Sequence, residues 1–367
     1  MRLFRYLLPI LLIIAAISLA GCSKKNPRLA SPVVKVALEP ADAMLVGQEM
    51  LNIPYWIDLG VKHRVLVRFS SIDGLVPVSD DIMRHITTLS KKEDFKGISE
   101  IAVRANEYTA ENTVYIANHL GIVDELVWVT PSLYPLTQAD LDGYLKFSAE
   151  KHPELKNAYS SLKFKDGVIE GKVFDVPVRI VALQDLPKLD KPVLLDIDVS
   201  YFQAIYQGEK ETGILTLPSG LVNNLKDKGL SSDIVTVSPS TGSVSPRFRF
   251  LAGYIKELLH DPGMTDKAPP RLWKDRAEAW RIAQKSYSEA IPVLKDILKS
   301  NKDDTATHYD LANAYFESGD YTACKAELDI AYRLDDGYGY GYEDFAARLV
   351  QKGDKDKAAL FAAIPAR

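Results

Sequence analysis

The hydrophobic pattern between residues 36 and 264 alternates short apolar runs with longer polar stretches of helical character. Several runs are continuously apolar, which is typical of strands that are buried on both faces of a parallel sheet. This alternation predicts an α/β fold with a mostly parallel sheet and helices on both faces. The predicted strands cover residues 65–69, 100–103, 113–117, 125–129, 178–181, 193–197 and 234–237, and the predicted helices include residues 79–89 and 138–150.

Residues 162–174 depart from this pattern and predict an antiparallel hairpin. Its turn is placed at Asp166 and Gly167, because an Asp-Gly pair suits the positive φ angles of a two-residue hairpin turn. The hairpin is expected to form an antiparallel extension of the sheet.

The predicted strand at residues 193–197 brings two carboxylates together, Asp196 and Asp198. Side chains two apart in a strand point to the same face, so the pair shares one face while apolar residues fill the other. Such burial is costly unless a cation, a proton or hydrogen-bond donors compensate. Both residues lie at the carboxyl end of their strand, where α/β sheets bind ligands. The pair predicts metal ligands; the alternative is that it caps the next turn through Ser200 or backbone N–H groups.

Two further residues are candidate ligands for the same metal. His119 follows the predicted strand at 113–117, and Asp73 follows the one at 65–69. A working metal site needs at least three protein ligands and an open position for water or substrate. His119, Asp73 and the aspartate pair would together supply enough ligands. The alternative for His119 is an ordinary loop histidine held by a hydrogen bond.

Five short motifs occur in an order that resembles an uncharacterised branch of the arginase/deacetylase superfamily, and they lie at residues 52–56, 63–73, 123–131, 194–202 and 235–239. The resemblance covers residues 40–262. It implies a three-layer α/β fold whose strand-end loops hold one or two divalent metals, usually manganese or zinc. The family's Asp-x-Asp element falls on Asp196 and Asp198. Its Asp-x-His-x-Asp element does not match, since the corresponding residues 69–75 offer only Asp73, and the resemblance therefore implies a degraded metal site.

From residue 272 onward the chain is helical in pattern and repeats every 34 residues, after a proline-bearing linker at residues 265–271. Residues 305–338 fit one tetratricopeptide unit, and the copies on either side are degenerate, as terminal repeats tend to be. Small residues recur at the same position of each copy, which makes Cys324 a packing residue; they are Ala290, Cys324 and Ala358. The repeats predict a stack of helix pairs in residues 272–367, which either binds a protein or peptide in a groove or packs against the α/β domain.

Aromatic residues mark two places in this helical part. Tyr338, Tyr340 and Tyr342 form a run at a repeat junction, where they are either a partner-binding surface or junction packing. Trp273 and Trp280 lie seven apart on one helix face and are expected to pack against the middle domain.

The N-terminus predicts export and lipidation. Residues 1–21 combine positive charge with an apolar core and read as a signal peptide. Leu19-Ala-Gly-Cys22 resembles a bacterial lipobox, which implies cleavage before Cys22 and acylation of that cysteine, with residues 22–35 as a lipidated tether. Ser23 after the cysteine implies the outer membrane, facing the periplasm, if the source has one. The alternatives are an uncleaved anchor or a coincidental cysteine.

Composition excludes some function classes. With 367 residues, 47% of them hydrophobic, the chain is folded, and a net charge of −4 gives no electrostatic case for a nucleic-acid partner. The common phosphate-loop, nucleophile-elbow and zinc-helix motifs do not occur. The sequence therefore predicts a lipid-anchored envelope protein that binds or scaffolds a partner. The alternatives are a divalent-metal-dependent hydrolase of an amide or amidine bond, using Asp196 and Asp198, and a purely structural lipoprotein.

Overall fold

The computed structural model describes residues 43–45, 49–103, 107–208, 213–239, 244–362 and 364. All of them belong to one compact unit, Val33–Arg367. The predicted signal peptide, Cys22 and the tether lie outside the described residues. No helix within the described part has both the length and the apolar character needed to span a membrane.

The middle of the chain folds into an eight-stranded sheet. Its strands are β1 (Ala43–Leu45), β2 (Arg64–Phe69), β3 (Val123–Val129), β4 (Lys163–Lys165), β5 (Val168–Val173), β6 (Val176–Val181), β7 (Val193–Asp198) and β8 (Ser232–Ser238). Their order across the sheet is β1-β8-β7-β2-β3-β6-β5-β4. The pairs from β1 to β6 are parallel, and β5 is antiparallel to both β6 and β4. The predicted mostly parallel sheet is confirmed.

Helices surround the sheet and make up the C-terminal part of the chain. The helices of the α/β part are α1 (Asn52–Asp58), α2 (Asp80–Lys91), α3 (Phe95–Val103), α4 (Thr113–His119), α5 (Gln138–Lys151), α6 (Ser200–Gly208), α7 (Thr216–Asp227) and α8 (Phe250–His260). Those that follow are α9 (Arg271–Ala283), α10 (Tyr287–Ser300), α11 (Thr305–Glu317), α12 (Tyr321–Leu334), α13 (Tyr340–Gln351) and α14 (Lys355–Ala358).

The two faces of the sheet carry separate apolar cores. On one face, Leu66 of β2 packs in a cluster with residues of α1 and α4, including Ile53 and Val114. On the other, Val67 belongs to a cluster with residues of α7 and α8, including Leu251. Neighbouring strand residues therefore serve opposite cores, which explains the continuous apolar runs in the sequence.

Two of the predicted strands are helices. Residues 100–103 belong to α3, where Ile98, Ile101 and Ala102 are buried at the spacing of a helix face. Residues 113–117 belong to α4, which is preceded by a turn that Thr109 and Asn112 cap reciprocally. Both runs are too short for their apolar residues to distinguish a strand from a helix.

The predicted hairpin is confirmed, with β4 and β5 joined at Asp166 and Gly167. Both residues have positive φ angles, 50° and 83°. Glycine adopts such angles without strain and aspartate does so more readily than most residues, which explains the turn.

Three helix pairs follow the sheet domain, α9 with α10, α11 with α12, and α13 with α14. The turns inside the second and third pairs contain Gly319 and Gly353, with φ angles of 83° and 82°. Asp320 and Asp354 follow them and cap the next helix by accepting a backbone N–H bond. The predicted 34-residue spacing thus corresponds to a repeated helix, glycine turn and aspartate cap.

Candidate functional site

Asp196 is fully buried in β7, and its charge is balanced inside the protein. The register places it beside Arg68 of β2, and Nη1 of Arg68 donates to Oδ2 of Asp196 at 3.1 Å. Asn52 Nδ2 and Thr236 Oγ1 donate to Oδ1 at 2.9 and 2.7 Å. All four side chains are fully buried. Burial raises the pKa of Asp196, while Arg68 and the two donors act in the opposite direction.

Arg68 also acts electrostatically on the other nearby carboxylates. Burial lowers the pKa of its guanidinium, and the charges of Asp196, Asp198 and Asp73 act to raise it. The cation that the buried aspartate pair requires is therefore an arginine of the neighbouring strand. The sequence shows Arg68 as a single arginine inside the apolar run of residues 65–69, but its carboxylate partner is set by the strand register.

Asp73 is held by its own set of donors. Its Oδ2 accepts hydrogen bonds from the hydroxyl of Tyr144 and, at 3.3 Å, from that of Tyr159. Its Oδ1 accepts from the backbone N–H of Leu75 at 2.9 Å. The pKa of Tyr144 lies well above its usual value, first because of burial and then because of the Asp73 charge. Asp73 therefore lies in the electrostatic range of Arg68 but bonds to tyrosines of α5 and the following segment.

Asp198 caps the helix that follows its strand. Its Oδ1 accepts the backbone N–H of Ser200, the first residue of α6, at 2.7 Å. Its Oδ2 is buried without a hydrogen-bond partner in the described structure. Burial, with a contribution from the Asp196 charge, raises the pKa of Asp198 to about 7. For Asp198 the structure has the predicted turn-capping geometry.

The donor set around the pair does not fit a manganese or zinc ion. Both oxygens of Asp196 are occupied by internal donors, including a guanidinium whose positive charge would repel a metal. One free oxygen of Asp198 and the nearby hydroxyl of Ser238 fall short of the three ligands that such ions require. Within the described ranges, no group of three or more His, Cys, Asp or Glu residues is placed to hold a metal.

His119 lies away from the aspartates. It is the last residue of α4, exposed, and precedes the amino end of β3. Because β2, β3 and β7 are parallel, this is the sheet edge opposite the carboxyl ends of the strands. Its Nδ1 lies 3.0 Å from the carbonyl oxygen of Tyr115, and the two rings are 4.2 Å apart. His119 has the geometry of the alternative, a helix-end histidine held locally.

Charged and aromatic residues join the sheet domain to the helix pairs. The guanidinium of Arg247 lies over the ring of Trp280, 4.2 Å from its centroid, and its Nε donates to Asp310 at 3.5 Å. Trp280 Nε1 donates to the second oxygen of Asp310 at 3.0 Å. Asp310 is buried, which raises its pKa, while Arg247 opposes this shift. These contacts fix α11 to the segment before α8.

A second set of contacts extends this junction along α9. Trp273 stacks against Phe250, lies 5.1 Å from the ring of Tyr254, and donates to Glu257 at 2.6 Å. Trp280 meets Phe250 edge to face at 5.6 Å. The prediction that both tryptophans pack against the middle domain is confirmed.

This junction bears on the two alternatives for the helix stack, a peptide groove or packing against the α/β domain. Ten of the 13 residues of α11 are buried, and they include polar residues as well as apolar ones. Helices α10, α12 and α13 pack against α11, and the segment around Arg247 covers a further part of its surface. At this junction the second alternative, packing against the α/β domain, is confirmed.

The three tyrosines of the junction run have different environments. Tyr338 and Tyr342 are buried, whereas Tyr340 is 44% exposed. A side chain at Gly341 would come within 2.7 Å of the Tyr309 ring, so this close packing requires glycine. Tyr338 and Tyr342 therefore fill the junction, and Tyr340 is the accessible member of the run.

The end of the helical array exposes an unusual number of apolar side chains. Eight large apolar side chains of the described residues are exposed, and five of them lie between residues 334 and 364. The stretch from the end of α12 to residue 364 therefore holds most of the exposed large apolar side chains of the described residues. The five are Leu334, Tyr340, Val350, Leu360 and Ile364.

Comparison with known proteins identifies one part of the chain. Residues 281–335, from the end of α9 to α12, match the tetratricopeptide repeat family. Searches of curated proteins and of solved structures found no significant match. The predicted tetratricopeptide repeat is confirmed, and it supports a role in protein–protein scaffolding. The part of this chain whose repeat type is recognised therefore runs from the end of α9 through α12.

Proposed function

We propose that this protein is a lipid-anchored scaffold of the cell envelope that binds a protein partner through its tetratricopeptide array. The observation that carries the proposal is the family match at residues 281–335. Such arrays stack helix pairs into extended surfaces and are widely used to bind other proteins. The exposed apolar side chains between residues 334 and 364 support this role.

In this proposal the α/β domain is a degraded relative of a metal-dependent hydrolase and acts as a rigid support for the array. The supporting observation is the buried pair of Arg68 and Asp196, which uses the carboxylate for internal charge balance. Metal analysis of the purified protein tests the alternative hydrolase. If the wild type retains manganese or zinc and Asp198→Asn does not, the result would support the hydrolase alternative. It would contradict the proposal that the protein is only a scaffold.

The anchor is proposed from the segment Leu19-Ala-Gly-Cys22. Several acyl chains on Cys22 would hold the protein firmly at a membrane, because each chain buries many methylene groups. In cells that express the full chain, Cys22→Ser should move the protein from the membrane fraction to the soluble fraction. Continued membrane attachment of this variant would contradict the lipid anchor.

The partner is sought by site-specific photo-crosslinking in cells that express the full chain. A photoreactive residue replaces Leu334 or Leu360 on the array, or Tyr134 or Phe147 on the α/β domain; all four are exposed. We expect adducts with a separate protein from the array positions and not from the two matched controls. Adducts from the control positions alone, or from none of the four, would contradict binding through the array.

A further inference from the structure

Residues 246–250, the Arg-Phe segment, alternate arginine with phenylalanine after a proline. The first three residues form a single 3₁₀ turn, Pro246–Phe248, and Phe250 is the first residue of α8. Each arginine and phenylalanine of the segment contacts α9, α11 or the turn between α12 and α13. The segment thus crosses from the first helix pair to the end of the second.

Arg249 of this segment is held by the turn between α12 and α13. Its guanidinium lies 5.4 Å from the centroid of the Tyr338 ring, and its Nη2 donates to Asp335 at 3.3 Å. A side chain at Gly337 would collide with this guanidinium, so the turn requires glycine there. The turn therefore has the shape and the charge to accept an arginine.

Arg247 is held by the same combination of groups, an aromatic ring and a carboxylate, which belong to Trp280 and Asp310. Two arginines that are two residues apart thus each meet one ring and one carboxylate of the array. A planar guanidinium can stack on a ring while its N–H groups bond to a carboxylate, which an ammonium group cannot do. The array therefore presents two sites suited to arginine.

The two phenylalanines of the segment pack against the tryptophans of α9. Phe248 meets Trp280 edge to face at 5.2 Å, and Phe250 stacks on Trp273 at 6.1 Å. Both phenylalanines are buried. Aromatic pairs of this kind contribute to stability beyond the area that they bury. The alternation in the sequence is therefore matched by alternating sites on the array.

The charges of the segment and of the array also match. Asp310 is 5% exposed, and burial raises its pKa, while the charge of Arg247 acts in the opposite direction. A buried carboxylate that loses its cation is strongly unfavourable. The two arginines of the segment face two carboxylates, Asp310 and Asp335, so this side of the array requires a cationic ligand.

We propose that this side of the array is a binding site for peptides that alternate arginine with phenylalanine, and that the Arg-Phe segment occupies it as a built-in ligand. This inference rests on the proposed role of the array in binding and names the chemistry of its ligand. Phe248 and Phe250 belong to the same buried cluster as Leu195 of the sheet, so the segment stays in place in the folded chain. An external partner therefore binds the array outside this site.

The first experiment supplies the segment as a separate peptide. Arg247→Ala with Phe248→Ala in the full chain removes two side chains of the segment and leaves the array unchanged. We expect a capped peptide of residues 244–251 to raise the melting temperature of this variant by several degrees at about 100 times its Kd, because it binds only the folded chain. The wild type should not respond, because its own segment fills the site. If the variant is unfolded without the peptide, the peptide should restore the native circular-dichroism spectrum.

Two controls test the specificity of this effect. Phe202→Ala removes a buried side chain from the same cluster but keeps the segment, so the peptide should not raise its melting temperature. A peptide with lysine in place of both arginines should bind at least about tenfold more weakly, since lysine lacks the planar guanidinium. An equal effect in all three chains, an equal effect of the lysine peptide, or no effect on the double variant would contradict the proposal.

The second experiment opens one arginine site and leaves both phenylalanines in place. Arg249→Ala removes the guanidinium that lies beside Tyr338, Asp335 and Gly337. Propylguanidinium at millimolar concentration should raise the melting temperature of this variant, whereas propylammonium should not, and the wild type should respond to neither. Equal responses to the two compounds, or no response to either, would contradict a site that is specific for arginine.

The outcomes separate this proposal from the scaffold function. Crosslinking from Leu334 and Leu360 records partners at exposed positions, so failure of the peptide experiments would leave the scaffold function standing. If no array position yields an adduct while the peptide behaves as expected, the scaffold function fails and the peptide site stands. If excess peptide abolishes the partner adduct of the wild type in a lysate, external ligands reach this site, and the built-in ligand is wrong.

Discussion

At the scale of single residues, Asp198 is a carboxyl group whose ionisation is opposed by its burial. Burial raises its pKa to about 7, so the folded protein binds a proton that the unfolded chain releases near pH 4. The contribution of Asp198 to the free energy of unfolding therefore falls as pH rises from about 4 through 7. This cost persists above pH 7, because the buried carboxylate must then be charged.

The variant Asp198→Asn removes this charge and keeps an oxygen that can accept the N–H of Ser200. It should be more stable than the wild type at pH 8, by roughly 1–4 kcal/mol, and should lose this advantage near pH 4. Urea unfolding of both proteins at the two pH values measures the difference. If the two proteins differ in free energy of unfolding by the same amount at pH 4 and pH 8, burial does not raise the pKa of Asp198.

Arg68 and Asp196 form the buried ion pair of the same cluster. Arg68→Met leaves a buried carboxylate without its cation and should reduce the free energy of unfolding by about 3–5 kcal/mol. The double variant Arg68→Met with Asp196→Leu should recover much of this loss, because neither charge remains. A double-mutant cycle by urea unfolding checks this prediction, and simple additivity of the two single effects would refute it.

At the scale of secondary-structure elements, His308 ties α11 to α12 and to the preceding loop. Its Nδ1 lies 2.6 Å from Glu327 and its Nε2 lies 2.8 Å from the carbonyl oxygen of Lys302. Both nitrogens face acceptors, so the ring binds best when both carry protons. Burial opposes this charge, but the Glu327 carboxylate and the carbonyl prevail and raise the pKa of His308.

The raised pKa predicts how this link depends on pH. Its contribution to stability is complete below the unfolded pKa of about 6.5 and is lost as pH rises through the higher folded pKa. His308→Gln should therefore be less stable than the wild type at pH 5.5, and the gap should narrow by pH 8.5. Thermal unfolding of both proteins across this range provides the measurement, and a constant gap would contradict the assignment.

Sequence predictions for individual elements were accurate where the interactions join neighbours in sequence, and not where they join distant residues. The hairpin at Asp166 and Gly167 depends on neighbours in sequence and was predicted, as was the 34-residue repeat. The face shared by Asp196 and Asp198 follows from the strand period, and the bond of Asp198 to the N–H of Ser200 is local in sequence, but the partners of Asp196 are distant. Arg68 meets Asp196 through a strand register that spans 128 residues, which no local pattern reveals.

At the scale of the whole molecule, the sheet domain and the helix pairs share one apolar core. A single cluster of buried residues includes Leu195 of the sheet, Leu251 of α8, Trp280 of α9 and Tyr309 of α11. The sequence predicted separate domains at residues 36–264 and 272–367, because the periodicity changes between them. Periodicity reports the type of element and not which surfaces are buried together.

The shared core predicts that the two parts unfold together. Urea unfolding should show one transition, with the same midpoint for tryptophan fluorescence and for the exposure of the Cys324 thiol. A chain that ends at residue 264 should fail to fold, since Phe250 and Tyr254 would lose the cover of Trp273. Two separate transitions, or a stable truncated chain, would show that the domains are independent.

The junction of Arg247 with Trp280 and Asp310 also limits how this protein evolves. Repeat arrays commonly change length when a unit is duplicated. A duplicated unit inserted between α9 and α11 would move Asp310 away from Arg247 and break the attachment to the sheet domain. A unit added after α14 would leave all of these contacts in place. Lineages of this protein should therefore differ in repeat number at the C-terminal end, while the first two helix pairs keep their spacing.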